Sequence, residues 1–178
     1  MRCPRCLGAE RFCICDALVP VRARTRVVVL QHALEQSEVS NTGRFVPLVL
    51  ENAELRLHGA RGGPARVEDL SGATLLFPGE GAPPVDLARV STLVVVDASW
   101  SQARRMVQRV PVLRGLPRLA LAVPAPARSL RDAPPGGLST LQAVARALGS
   151  LGDATAAAAL DEVHERLLAR TVAARGYV

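Results

Sequence analysis

An aspartate at the end of an apolar run is the first residue of this chain placed to do chemistry. The run Thr92-Leu-Val-Val-Val-Asp97 is rich in β-branched residues, the mark of a strand buried on both faces, and it stops at Asp97. Ser99 and Gln102 then have the spacing of a capping box, so a helix begins within three residues. Asp97 is therefore expected just past the carboxyl end of a central strand and beside a helix N-terminus. Open α/β sheets bind ligands there. A carboxylate at such a place either acts in the site or orders the turn, and geometry read from sequence leaves both open.

Other residues have chemical potential of their own. Cys3, Cys6, Cys13 and Cys15 form the pattern C-x2-C-x6-C-x-C within fifteen residues. Four thiolates can close a tetrahedral zinc site, and with every ligand supplied by protein such a site is structural. A metal also lets a short, loop-rich segment order without a core of its own. The alternative is four reduced thiols. His32 and Glu35 follow the apolar run Arg26–Leu30 and read either as an oriented acid–base pair or as hydrogen-bonded structural residues. Asn41-Thr42 is placed to cap a helix running through Val46 to Leu50, and Gly43 allows a close backbone approach. Arg44, in the first turn of that helix, opposes its dipole and is expected to serve an anion, an RNA phosphate or a cofactor carboxylate. Arg104, Arg105 and Arg109 lie on the helix after Asp97 and form either a solvated face or an RNA-backbone contact.

The elements that must position these residues follow from patterning. Apolar runs at 26–30, 73–77, 92–96 and 116–123 read as strands, with a short edge strand at Glu54–Leu57. Helices are expected from Ser99 to about Val110, where Pro111 stops the first of them, from Ser139 behind a second capping box with Gln142, and from Asp153 to about Ala174. The last carries Leu160, Val163, Leu167 and Leu168, which should pack against the sheet. Strands alternating with helices argue an α/β fold with a mostly parallel sheet. The division expected is a cysteine knuckle at 1–18 and an α/β domain at 19–178. Gly59–Asp69 and Ala125–Gly137 read as loops.

Composition narrows the partners. At 49% hydrophobic and 21% charged the chain is globular rather than disordered. A net charge of +6 favours an anionic partner such as nucleic acid. All 22 basic residues are arginine, which suits bidentate phosphate contacts but also reflects a sequence biased in composition, rich in alanine as well. The N-terminus lacks the apolar stretch of a signal peptide, and no run approaches the roughly 18–20 residues that span a bilayer. A soluble cytoplasmic protein is the expectation, with no membrane partner.

The stretch Asp97-Ala98-Ser99-Trp100, continuing Gln102-Ala103-Arg104-Arg105-Met106, resembles the Asp-x-Thr/Ser-Trp signature of the DTW-domain family. Further segments are similar to that family in the same order: the N-terminal cysteines, His32-x-x-Glu35, Asn41-Thr42-Gly43-Arg44, Leu76-Phe77-Pro78, Leu116-Pro117-Arg118, Arg128-Ser129-Leu130-Arg131 and Ser139-Thr140. The resemblance runs from the first cysteine to about Leu151. It implies a SPOUT-like α/β domain whose carboxyl-terminal part can be threaded as a knot. It also implies a tRNA-modifying enzyme that moves the 3-amino-3-carboxypropyl group of S-adenosylmethionine to a uridine, with structural zinc at the cysteines. On this resemblance Asp97 is the catalytic carboxylate, as general base at uridine N3 or as orienter of the uracil. Phe77, Pro78, Ser99, Trp100, Pro124, Arg131, Ser139 and Thr140 bind the cofactor, and Arg44, Arg104, Arg105 and Arg109 contact RNA. Two positions depart from the family: Ser129-Leu130 stands where an aromatic is usual, and Gln142 where a glutamate is. Two other readings remain: a SPOUT-type RNA methyltransferase and a non-enzymatic zinc-bearing RNA-binding module.

Overall fold

The four apolar runs and the edge segment form five parallel strands, β1 (Arg26–His32), β2 (Ala53–His58), β3 (Thr74–Leu76), β4 (Thr92–Asp97) and β5 (Arg118–Leu119). The computed structural model describes residues 1–38, 40–59, 63–79, 85–121 and 138–175. The strands form one sheet in the order β2-β1-β4-β3-β5, and every neighbouring pair is parallel. The helices are α1 (Val46–Val49), α2 (Trp100–Arg109), α3 (Pro111–Gly115), α4 (Thr140–Ser150) and α5 (Ala154–Arg175). The α/β architecture is the one the patterning predicts, and the sheet, expected to be mostly parallel, is parallel throughout.

The central strands are apolar on both faces because both faces are covered. Val27, Val29, Leu93 and Val95 turn to one side, where they join Phe45, Leu141, Val144 and Leu148 in one buried cluster. Val28, Leu30 and Val94 turn to the other and meet Leu75, Met106, Val107 and Leu113. The knuckle belongs to the first layer: Cys3, Cys6, Ile14, Cys15 and Leu18 are buried in the same apolar cluster as α4 and α5. Among the described residues no helix is long and apolar enough to cross a membrane.

The order of strand addition reverses between β1 and β4, which are themselves parallel. The chain leaves β1 through α1 on the first face toward β2, and leaves β4 through α2 and α3 on the second face toward β5. Adjacent strands whose connections part to opposite faces leave a crevice at their carboxyl ends. Gln31 and Asp97 are register partners at the mouth of that crevice.

Several boundaries differ from the sequence expectation. The strand expected over 116–123 is only Arg118–Leu119 among the described residues, because it is an edge strand paired with the three-residue β3 alone. The helix expected through Val46–Leu50 is a 3-10 turn, Gly43–Phe45, leading into a single α-turn. Thr42 does not cap it; Asn41 Oδ1 instead accepts the Arg44 N–H at 3.3 Å. Helix α5 packs chiefly on α4 and on the turn Glu10–Phe12, not on the sheet, since α4 already covers that face of β4. Its start is fixed by Asp153, which accepts the N–H groups of Ala156 and of Arg24. Edge strand β2 is blunted by charge, as exposed edges need to be: Arg56 binds Glu54 and, bidentately, Asp69 at 2.7 and 2.9 Å. The Arg56 guanidinium holds the Asp69 carboxyl well below the usual carboxylate range. The segment that would carry a knot, between β5 and α4, runs through 122–137, outside the described residues.

Candidate active site and metal centre

The strand β4 delivers Asp97 to the crevice and buries it to 4% exposure. A buried carboxylate must be paired or hydrogen-bonded, and here three side chains do this. Gln31 Nε2 from β1 donates to Oδ2 at 2.8 Å, Asn41 Nδ2 donates to the same oxygen at 2.6 Å, and Thr140 Oγ1 from the first turn of α4 donates to Oδ1 at 2.6 Å. Asn41 also accepts from Gln31 at 3.1 Å, and it faces the buried Glu35 at 3.5 Å. Thr42 Oγ1 accepts the Leu141 N–H at 3.3 Å, which fastens this loop to the start of α4. The carboxylate thus joins two strands, one loop and one helix start.

Gly43 is needed where it stands because the backbone runs against this carboxylate. A Cβ there would lie 2.5 Å from Asp97 Cγ and 2.5 Å from Oδ2. The Gly43→Ala variant is expected to lose about 1–3 kcal/mol, the usual range for overpacking a filled site. Urea unfolding measures this, and an unchanged midpoint would show that Asp97 does not occupy this position.

Beside the carboxylate, at the ends of β3, β4 and β5, lies a cavity of about 160 Å³. Its walls are mostly apolar and include Phe77, Pro78, Trp100, Leu119, Leu138 and Thr140. Phe77 and Trp100 are tilted at 57° with centroids 6.3 Å apart, and the Arg118 guanidinium lies 5.9 Å from the Phe77 ring. Trp100 is 46% exposed, so it is not core filling. Thr140 belongs to both features. It lines the cavity and holds Asp97, which itself is not on the wall. Two helix N-termini, of α2 and α4, open onto the cavity through Trp100 and Thr140, and such termini favour an anionic group.

The cysteines form the second centre. Their four sulfurs lie within 4.8 Å of one another, with Cys3 to Cys15 at 3.8 Å and Cys6 to Cys13 at 3.9 Å. A tetrahedral ion with metal–sulfur bonds near 2.3 Å needs sulfur separations of about 3.8 Å, so this donor set fits one. Burial pushes the Cys6 and Cys15 thiols up, while the Cys6 backbone N–H pulls Cys3 down to about 6. A buried cluster of thiolates requires a cation to offset its charge.

The structure brings Asp97, Thr140, Phe77, Pro78 and Trp100 together. Ser99 and Ser139 stand one residue outside the cavity wall, and their hydroxyls accept the Gln102 and Gln142 N–H groups of two complete capping boxes. Gln142 returns its Oε1 to the Ser139 N–H at 3.1 Å, so its amide oxygen does what a glutamate oxygen would do there. Pro124, Ser129, Leu130 and Arg131 lie outside the described residues. Arg104, Arg105 and Arg109 are exposed on α2. Arg44 is not at the surface: it is 8% exposed and its guanidinium donates to the carbonyl oxygens of Asn41, Cys6 and Glu38. Its place at the wrong end of a helix dipole is explained by those carbonyls, and we assign it no RNA contact. His32 Nδ1 accepts the Leu34 N–H, and Asn41 Nδ2 faces the Glu35 carboxylate at 3.5 Å. Gln31 and Asn41 were missed as partners of Asp97. Only the pairing of β1 with β4 reveals Gln31; a polar residue ending a buried strand was the available signal.

An open parallel α/β sheet with helices on both faces, a buried carboxylate at its switch point and a cavity beside it at the ends of β3, β4 and β5 is a fold of the doubly wound kind, a class whose ligand sites lie at the carboxyl ends of the strands. The family model for the DTW domain matches residues 1–172, and the chain belongs to that family. The chain is 28% identical over 166 residues to a Drosophila melanogaster protein named tRNA-uridine aminocarboxypropyltransferase 2, covering 84% of this chain and 66% of that one. Proteins of the same name from Macaca fascicularis (25% identity, 84% and 56% covered) and Mus musculus (27%, 57% and 39% covered) are also similar. The chain thus spans less than two thirds of the length of each of these relatives. No solved structure matches it.

Proposed function

We propose that this chain transfers the 3-amino-3-carboxypropyl group of S-adenosylmethionine to N3 of a uridine in tRNA, with zinc as the structural ion of the knuckle. The observation that carries this reading is the Asp97–Thr140 pair at the wall of an aromatic-sided cavity. The family and the names of the relatives support it.

Uridine N3 is a poor nucleophile until its imide proton leaves, so the site must supply a base. Asp97 is buried behind Thr140, and the proton therefore moves through the hydroxyl. Thr140 Oγ1 takes the N3 proton as its own proton passes to Asp97 Oδ1. Gln31 and Asn41 keep donating to Oδ2 and hold the carboxyl in place. S-adenosylmethionine, as co-substrate, supplies a sulfonium-activated γ-carbon, where the new N–C bond forms as the C–S bond breaks and its electron pair leaves on sulfur. Phe77 and Trp100 offer stacking faces for adenine or the uracil, and the N–H groups at the starts of α2 and α4 suit the methionine carboxylate. Holding the γ-carbon and not the methyl toward N3 is a matter of orientation in the cavity.

The test is to incubate the protein with unmodified tRNA and S-adenosylmethionine labelled in the methionine chain, then to digest and weigh the nucleosides. A uridine heavier by one aminocarboxypropyl group is the expected product. A methylated nucleoside instead makes the protein a methyltransferase, and no product together with no cofactor binding leaves an RNA-binding module.

The exposed arginines of α2 are the proposed RNA-backbone contact. Changing Arg105 and Arg109 together to Gln is expected to weaken tRNA binding about tenfold or more at low salt. The slope of log K against log salt should fall by about one per arginine removed. A slope equal to that of the parent chain would remove these residues from the interface.

A further inference from the structure

Arg44 stands between the two centres. Nη1 donates to the carbonyl of Cys6 at 3.2 Å, Nη2 donates to the carbonyl of Glu38, and Nε donates to the carbonyl of Asn41 at 3.1 Å. Cys6 is one of the four clustered thiols. Asn41 donates to Asp97 Oδ2, its neighbour Thr42 accepts from Leu141, and Gly43 lies against the carboxylate itself. One guanidinium therefore ties the knuckle backbone to the loop that sets the surroundings of Asp97. A cavity of about 260 Å³ opens at this junction, lined by Cys6 and Phe12 of the knuckle, by Asn41 and Arg44, and by Leu167 and Thr171 of α5. The knuckle also shares an apolar cluster with Phe45 and Val46, and the hydrogen bonds of Arg44 are the polar link beside that packing.

We propose that Arg44 is a positioning residue through which metal occupancy of the knuckle sets the geometry around Asp97. Groups that fasten the ligands of a metal from outside its coordination sphere commonly tune what the site does. In this protein the fastening runs the other way as well, from the Cys6 carbonyl through Arg44 and Asn41 to the carboxylate. A planar fork with donors in fixed directions can reach three carbonyls at once; a lysine ammonium on a flexible stem cannot reproduce that span. The inference rests on the knuckle holding a metal ion and does not depend on which group the Asp97 site transfers.

Amide hydrogen exchange on the full chain, with metal analysis, tests this. The Arg44→Lys variant is expected to keep one zinc per chain. In that variant the amides of residues 41–45 and of Leu141 should exchange at least tenfold faster than in the parent, with Val28 and Val94 of the central strands unchanged. Removing zinc from the parent with a chelator lowers global stability, so Val28 and Val94 also exchange faster; the amides of 41–45 and of Leu141 should rise at least tenfold more than those two, and removing zinc from Arg44→Lys should raise them no more than Val28 and Val94. The proposal is overturned if chelation loosens only residues 2–15, or if the lysine variant protects 41–45 as well as the parent does. It is also overturned if exchange at 41–45 and Leu141 rises only by the factor seen at Val28 and Val94, the signature of a merely stabilising role, or if the chain carries no metal. Should Arg44→Lys fail to fold, the parent with and without chelator decides alone. None of these readouts uses the transfer reaction, so a failed transfer assay leaves them standing.

Discussion

Asp97→Ala is expected to abolish transfer, lowering product formation by about 10³-fold, within the range for losing a positioned acid–base group. It is also expected to lower stability by about 3–5 kcal/mol. The reason is that Gln31, Asn41 and Thr140 would each lose the carboxylate as acceptor, Gln31 keeping only Asn41 Oδ1 and Asn41 only the 3.5 Å contact to Glu35, and each such loss costs about 1–3 kcal/mol. The comparison with Asp97→Asn separates these two effects. An asparagine can keep its oxygen toward Gln31 and Asn41 and turn its amide toward Thr140, whose hydroxyl can rotate to accept. That variant should recover most of the lost stability, to within about 1–2 kcal/mol of the parent. It should not recover transfer, since an amide cannot take the proton from Thr140. Urea unfolding and nucleoside mass analysis on the same two preparations measure both effects. Transfer by Asp97→Asn within tenfold of the parent would reduce Asp97 to a residue that orders the loop. Unchanged stability in Asp97→Ala would mean that the three hydrogen bonds are not made.

The second large effect is expected on removing the metal. The knuckle has little secondary structure beyond two short 3-10 turns, and what it buries is small: chiefly the cysteines, Ile14 and Leu18. Losing Ile14 and Leu18 from the shared apolar cluster alone costs roughly 3–6 kcal/mol at about 1.5–3 kcal/mol per side chain. For a chain of this length each kcal/mol moves the Tm by roughly 2–4 °C, so a fall of about 10 °C is expected with excess chelator. Cys6→Ser should show the same fall without chelator and should bind less than one zinc per chain. Calorimetry and metal analysis measure these. A Tm that does not respond to chelator, in a chain shown to have carried zinc, would mean that the knuckle orders itself without the ion.

Much of this was legible in the chain. The buried strands were visible because a parallel sheet covered on both faces needs unbroken apolar runs, as in Val27–Leu30 and Leu93–Val96. Both capping boxes were visible because the hydrogen bonds of a helix start are local, three residues apart. The cysteine cluster was visible for the same reason. The short β5 and the packing of α5 on α4 were not, because the length of an edge strand and the partner of a long amphipathic helix depend on what else already covers the sheet.

At the site, sequence by itself determined that Asp97 ends a central strand beside a helix start, that Gly43 permits a close approach, and that four thiols stand at metal-binding spacing. Only the tertiary structure decided what those residues meet. Asp97 is joined to Gln31, Asn41 and Thr140, which are 66, 56 and 43 positions away in the chain. The close approach at Gly43 is to Asp97 itself. Arg44, which its helix position made an anion ligand, is turned inward to three carbonyls. The division has one physical cause. Strand runs, caps and clustered ligands are set by neighbours a few residues apart, whereas the partners of a buried charge are set by which strands pair and which loops cross their ends.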